Sequence, residues 1–90
     1  MVLPDAIPGM TAQNVAASMS GCAGQRCMAA SAMIGVGDVD DIINKICEEA
    51  RKIIPGENLG PVINKESQTR IEQYITEAEN DGATILVDGR

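Results

Sequence analysis

The sequence predicts an α/β fold, with a small and mostly parallel sheet and about three helices. Three observations predict it: segments with apolar residues at helical spacing, short apolar runs between those segments, and Gly or Pro residues at their boundaries. Strands that alternate with helices pair in parallel, because each helix serves as the crossover between two strands. No internal repeat or low-complexity linker divides the 90 residues, so residues 1–90 are expected to form a single unit.

The first third of the chain is predicted to form the end of a strand, a helix and a second strand. Val2-Leu3-Pro4 is the strand end. Thr11 is the predicted N-cap of a helix that runs to about Ser20. Met28–Val36 is a run of apolar and small residues, which predicts a strand buried on both faces. The helix carries four apolar residues at helical spacing: Ala12, Val15, Ala16 and Met19.

The rest of the chain is predicted to form two helices and a final strand. Asp38 caps the first helix, and Pro55-Gly56 stops it. Asn64 caps the second helix, Gly82 ends it, and Ala83–Val87 follows as a strand. The first of these helices has the longest apolar stripe in the sequence: Val39, Ile42, Ile43, Ile46, Cys47, Ala50, Ile53 and Ile54.

Charge and composition exclude several functions. Seven basic and thirteen acidic residues give a net charge of −6, and no basic cluster occurs, so we expect no nucleic-acid binding. No apolar run approaches the ~20 residues that span a bilayer, so no membrane insertion is expected. Three cysteines and no histidine make a metal site unexpected. Without a secretory signal or a disulfide framework, the cytoplasm or the mitochondrial matrix is the expected location.

The segment Gly21–Ala29 holds the candidate catalytic residue, Cys27. Gly24 gives the backbone room to approach a substrate, and Arg26 is the only basic residue of the first forty-four. Arg26 could favour the thiolate of Cys27 or bind a substrate carboxylate. The alternative is that all three cysteines are small core residues. Cys47 suits that alternative because it lies in an apolar stripe, whereas Cys22 is ambiguous.

The run Gly24-Gln25-Arg26-Cys27-Met28-Ala29 resembles the catalytic-cysteine motif of the aldehyde dehydrogenase superfamily. Its Arg and Met are similar to those of the CoA-acylating methylmalonate-semialdehyde dehydrogenase branch. The resemblance continues in order along the whole chain, through Val2–Ala6, Leu59–Ile63, Arg70–Ile75 and Gly82-Ala83.

The resemblance implies an aldehyde-dehydrogenase-like catalytic domain that oxidises a small-molecule semialdehyde. Cys27 would attack the aldehyde, hydride transfer to NAD would leave a thioester, and CoA would take the acyl group. The backbone N–H of Cys27 would form half of the oxyanion hole, and Arg26 would bind the substrate carboxylate. No residue of this sequence is identified as cofactor-binding.

The sequence also departs from that family. The dinucleotide-binding domain and the asparagine that completes the oxyanion hole are missing, and the loop Pro55–Gly60 is shorter than usual. We therefore expect a fragment that is inactive alone and binds neither NAD nor CoA. Two other hypotheses stay open. One is a non-enzymatic interaction or structural module that pairs with itself, as a homo-oligomer, or with a full-length relative. The other is a thiol-reactive or redox protein that uses Cys22 and Cys27.

Overall fold

The computed structural model describes residues Met1–Arg90 as three α-helices joined by long loops. Helix α1 spans Pro8–Ser20, α2 spans Asp40–Arg51, and α3 spans Lys65–Asn80. A single tight turn, Gly21–Gly24, follows α1 directly. None of the three helices combines the length and the apolar content that crossing a bilayer requires.

The predicted α/β fold with a parallel sheet is wrong, because the chain forms no sheet. Its closest approach to one is a pair of isolated parallel bridges, one between Val2 and Gly35 and one between Pro55 and Leu59. The N–H of Val2 donates to the carbonyl of Ile34 at 2.8 Å, and the N–H of Val36 donates to the carbonyl of Val2 at 2.9 Å. A strand forms only where its backbone groups pair with a neighbouring segment along its length. The N-terminal segment pairs at one position only, between Val2 and Gly35.

The segments predicted as inner and final strands are loops. Met28–Val36 is predicted to be buried on both faces, yet Ala29 alone is half-buried and Met28 is 89% exposed. Ala83–Val87 also lies outside any strand, and only Ile85 in it is half-buried. An apolar run indicates that a segment tends to be covered, but the run becomes a strand only where a partner segment exists.

The core is small and lies where α1 packs against α2. Ile42 of α2 packs with Val39 and Val2, which makes the N-terminal segment part of this core. Ala12 and Ala16 are the buried residues of α1, as the spacing of its apolar residues predicts. Only five of the 90 residues are buried, so this cluster carries most of the hydrophobic stabilisation. Helix α3 contacts neither of the other helices and has no buried residue.

The helix starts agree with the predicted capping residues in one case of three. Asn64 caps α3, because its Oδ1 accepts a hydrogen bond from the N–H of Ser67 at 2.8 Å. Thr11 is not a cap: its N–H donates to the carbonyl of Ile7 at 2.9 Å, so it already lies within the first turn of α1. That helix begins earlier because Pro8 has a backbone already suited to the first helical position.

Helix α2 begins at Asp40, and its N-cap is Val39 rather than the predicted Asp38. The carboxylate of Asp38 accepts only a long hydrogen bond, 3.3 Å, from the N–H of Asp40. The acidic side chains of Asp40 and Asp41 lie in the first turn of α2, where they interact favourably with the positive end of the helix dipole.

Candidate functional site

The candidate site is built on a left-handed turn at the end of α1. Three consecutive residues have positive φ angles: Cys22 at 51°, Ala23 at 54° and Gly24 at 74°. This conformation is free of strain for glycine but costs an L-residue about 1 kcal/mol or more. Cys22 and Ala23 are therefore held in this conformation by their surroundings, a few residues before Cys27.

Gln25 connects this turn to a second loop, Gly60–Ile63. Its Nε2 donates to the carbonyl of Cys22 at 2.8 Å and, less favourably, to the carbonyl of Pro61 at 3.3 Å. Its Oε1 accepts from the backbone N–H of Ile63 at 2.8 Å. One amide side chain thus uses both its donor and its acceptor to hold two loops together. Sequence reasoning missed this role, because a glutamine in a loop carries no signal of its partner.

Cys27 lies on an exposed turn that follows Gln25. The carbonyl of Arg26 accepts from the N–H of Ala29 at 3.1 Å, which places Cys27 at the first central position of the turn. The thiol is free and exposed. The backbone N–H of Cys27 donates to no acceptor in the protein. Cys27 therefore presents a nucleophilic atom and an unused hydrogen-bond donor in the same residue.

The side chain of Arg26 folds back over the end of α1. A Cβ placed on Gly21 would lie 2.8 Å from Nη1 and 3.0 Å from the central carbon of the guanidinium, so a side chain at this position would require the guanidinium to move. Arg26 belongs to none of the three ion pairs of the protein. Its guanidinium is thus free to bind an anion from outside.

The other two cysteines occupy different environments. Cys22 is a free, exposed thiol in the left-handed turn. Cys47 is free and half-buried on α2, within the apolar stripe of that helix. Of the three thiols, only Cys22 and Cys27 lie in the segment Gly21–Ala29, which we call the site loop.

Two open clefts lie beside the site loop. One, of about 520 Å³, is lined by α3 and the loop that carries Leu59 and Pro61. The other, of about 710 Å³, reaches from Met19 at the end of α1 to Val87. Ala23 lines both clefts, whereas Arg26 and Cys27 line neither. The two predicted site residues therefore lie outside these two clefts.

The family model and the similar proteins all indicate the same family. A model described as the aldehyde dehydrogenase family matches residues 1–90. The chain is 38% identical to a probable methylmalonate-semialdehyde/malonate-semialdehyde dehydrogenase [acylating], mitochondrial, of Anopheles gambiae, covering 100% of the chain and 18% of that relative. It is 41% identical to the mitochondrial methylmalonate-semialdehyde dehydrogenase [acylating] of Arabidopsis thaliana, covering 100% and 16%.

A bacterial relative is similar to the same extent. The chain is 37% identical to malonate-semialdehyde dehydrogenase 3 of Geobacillus kaustophilus, covering 100% of the chain and 20% of that relative. The chain therefore spans between 16% and 20% of the length of these relatives. No solved structure matches it.

The aligned regions are longer than the chain. The alignments to the Anopheles and Arabidopsis proteins extend over 96 residues, against the 90 of this sequence, so the relatives carry additional residues inside the matched region. This difference fits the expectation of a shortened loop, without fixing its position. Because the family model matches the sequence from its first residue to its last, the chain belongs to the aldehyde dehydrogenase family.

Proposed function

We propose that this chain is the cysteine-bearing segment of a CoA-acylating methylmalonate- or malonate-semialdehyde dehydrogenase, with residues 1–90 as one unit of its catalytic domain. One observation carries the proposal. The exposed thiol and the unbonded N–H of Cys27 occur together, next to an unpaired arginine, in a chain that relatives of that name match along its whole length.

In the proposed reaction Cys27 is the nucleophile. Its Sγ, as the thiolate, forms a bond to the aldehyde carbon, and the π electron pair of the carbonyl moves to the oxygen. The N–H of Cys27 then donates a hydrogen bond to that oxyanion. Arg26 binds the carboxylate of the semialdehyde through its guanidinium fork, which matches the two carboxylate oxygens.

The residues of this chain do not fit NAD. The nearest equivalent of a phosphate-binding turn is Gly35-Val36-Gly37 before α2, and the first turn of that helix carries Asp40 and Asp41. Their carboxylates, with that of Asp38, would repel a pyrophosphate at the helix end that otherwise attracts one. We therefore assign to this chain the nucleophile and the carboxylate-binding group. NAD and CoA would be held by parts of the enzyme other than these 90 residues.

We propose the mitochondrial matrix or the bacterial cytoplasm as the location. Two of the relatives are named as mitochondrial, and the third comes from a bacterium. Both compartments keep thiols reduced, which agrees with three free cysteines.

The function can be tested by grafting. In the Geobacillus malonate-semialdehyde dehydrogenase 3, the matched segment is replaced by this chain, and NADH and acyl-CoA formation from malonate semialdehyde are measured. We expect CoA-dependent activity, a loss on the order of 10³-fold or more in the Cys27→Ser graft, and no loss in a matched Cys47→Ser graft. A folded graft whose activity survives Cys27→Ser would contradict the proposal.

A second candidate function is a non-enzymatic interaction module that associates with itself. The observation that favours it is the exposure of large apolar side chains, including Met28, Ile63 and Tyr74, against a core of five buried residues. Sedimentation decides between an assembly and single chains. A monomer at high protein concentration would exclude this candidate as a homo-oligomer.

A further inference from the structure

Cys22 is a second free thiol in the site loop, and the proposed reaction does not use it. Both Cys22 and Cys27 are exposed, and four residues separate them. The third cysteine, Cys47, lies half-buried on α2, outside this loop. The site loop therefore holds the two exposed thiols of the protein.

A hydrogen-bonded turn of the backbone lies between the two thiols. The N–H of Gln25 donates to the carbonyl of Cys22 at 3.1 Å, and this turn brings the Cα atoms of the two residues within about 7 Å. The side chain of Gln25 binds the same carbonyl at 2.8 Å and so fixes the turn. Only two further steps of about 3.8 Å lead from Gln25 to Cys27.

The segment that would have to move is weakly held. The N–H groups of Arg26, Cys27 and Met28 donate to no acceptor in the protein, and the chain is fixed again only at Ala29 and Ala30. A disulfide needs Cα atoms about 4.4–6.8 Å apart. Rotation about the backbone of Arg26 and Cys27 is the movement available to close one; it opens the turn bond from the N–H of Ala29 to the carbonyl of Arg26 and leaves α1 and the bonds of Gln25 intact.

We propose that Cys22 is the resolving thiol of Cys27, and that a hydroperoxide converts the pair into an intrachain disulfide. As regulation of the nucleophile this inference rests on the proposed function, although the thiol chemistry itself does not. The disulfide takes Cys27 out of reaction with aldehydes and protects it from further oxidation, and a dithiol restores it.

The chemistry balances with hydrogen peroxide as the oxidant. The thiolate of Cys27 attacks one peroxide oxygen, so that an S–O bond forms, the O–O bond breaks, and hydroxide leaves and is protonated to water. Cys22 then attacks the sulfur of the sulfenic acid. The S–S bond forms, the S–O bond breaks, and the departing hydroxide takes the proton of Cys22 as a second water. Two thiols and one peroxide give one disulfide and two waters.

The test is mass spectrometry of the 90-residue chain after limited hydrogen peroxide, followed by alkylation. We expect a loss of about 2 Da, alkylation of Cys47 only, and a peptide that links Cys22 to Cys27. In Cys22→Ser the sulfur of Cys27 goes on to the sulfinic acid, a gain of about 32 Da, at the same peroxide dose. In the matched control, Cys47→Ser, the linked peptide is unchanged. Circular dichroism shows that each variant keeps its helices.

The inference is overturned if the wild-type chain forms as much sulfinic acid as Cys22→Ser, or if its disulfides join separate chains. Aldehyde addition is measured separately on the reduced protein, so the two proposals can fail independently. A linked peptide without aldehyde addition leaves the redox pair and removes the dehydrogenase role. Aldehyde addition without a linked peptide leaves the dehydrogenase role and removes the redox pair.

Discussion

The side-chain oxygen of Gln25 accepts a hydrogen bond of 2.8 Å from the backbone N–H of Ile63, across 38 positions of the sequence. The same side chain donates to the carbonyl of Cys22 at 2.8 Å. The turn that precedes Cys27 is thereby joined to the Gly60–Ile63 loop, which the helix–helix core does not reach. Gln25 therefore links the turn before the candidate nucleophile, by hydrogen bonds, to a loop in the second half of the chain.

Replacing Gln25 by alanine tests this connection. We expect the free energy of unfolding to fall by about 1 kcal/mol, the net value of an intramolecular hydrogen bond, and the amide proton of Ile63 to exchange faster. Hydrogen exchange followed by NMR measures both effects. Gln73→Ala is the matched control, since Gln73 bonds only Glu77 within α3. Unchanged exchange at Ile63 would show that the loops are held by other contacts.

Ala23→Gly should stabilise the protein, although glycine usually does the opposite. Ala23 has φ of 54°, where an L-residue is strained and glycine is not. We expect a gain of about 1 kcal/mol in the free energy of unfolding. Ala17→Gly, in the exposed part of α1, should lose about 0.5–1 kcal/mol for the ordinary entropic reason. Urea denaturation measures both, and equal signs for the two variants would contradict the left-handed turn.

Ile42→Ala tests whether the small α1–α2 core sustains the fold. Ile42 is 3% exposed and packs with Val2 and Val39. Removing its buried methyl groups should cost about 3 kcal/mol, which is a large share of the stability of a chain this size. Ile63 is 81% exposed, so Ile63→Ala should change the free energy of unfolding by less than about 0.5 kcal/mol. Similar losses in the two variants, measured by thermal denaturation, would place the core elsewhere.

An ion-pair cluster around Arg90 makes a pH-dependent contact. Hydrogen bonds from the side chain and backbone of Arg90 lower the pKa of the Asp88 carboxyl from 3.8 to about 2. The guanidinium also binds Glu79 at 3.1 Å and the hydroxyl of Thr76 at 3.0 Å, which joins the segment after α3 to that helix. Because the pKa is lower in the folded state, the contribution is complete above about pH 4 and is lost as the pH falls towards 2.

The variant Arg90→Gln should return the pKa of Asp88 to near 3.8, its ordinary value. NMR titration of the side-chain carboxyl follows this directly. Arg51→Gln is the control, because Arg51 donates only to the carbonyl of Leu86, at 3.4 Å. If Asp88 titrates alike in the wild type and in Arg90→Gln, the cluster does not form in solution.

The helices were predictable from the sequence because their signals are local. The stripe from Val39 to Ile54 predicts α2, although the helix ends at Arg51, before Ile53 and Ile54. Asn64 predicts the start of α3, because a capping residue acts on the first turn that follows it. The strands were not predictable, because a strand is defined by its partner. Val2 pairs only with Gly35 of the segment Met28–Val36, the rest of that segment has no partner, and Ala83–Val87 has none.

Some residues of the candidate site were also predictable from the sequence, and others were not. Gly24, Arg26 and Cys27 carry a recognisable short motif, so sequence alone points to them. The role of Gln25 depends on a loop 38 positions away, and Cys22 adopts a left-handed conformation that L-residues rarely adopt. Neither has a local signature. A glutamine with donor and acceptor groups next to a glycine turn is compatible with this role but does not predict it.

The most direct test of the account is NMR of the reduced chain with malonate semialdehyde carrying ¹³C at its aldehyde carbon. Addition of a thiol converts that carbon to a thiohemiacetal with a distinct resonance. We expect one adduct, absent in Cys27→Ser and present in Cys22→Ser and Cys47→Ser. We expect Arg26→Gln to lower the equilibrium constant of adduct formation about 2- to 5-fold for malonate semialdehyde. For propanal, which lacks the carboxylate, we expect no change. An adduct that survives Cys27→Ser, or no adduct on the wild-type chain, would contradict the assignment of Cys27 as the nucleophile.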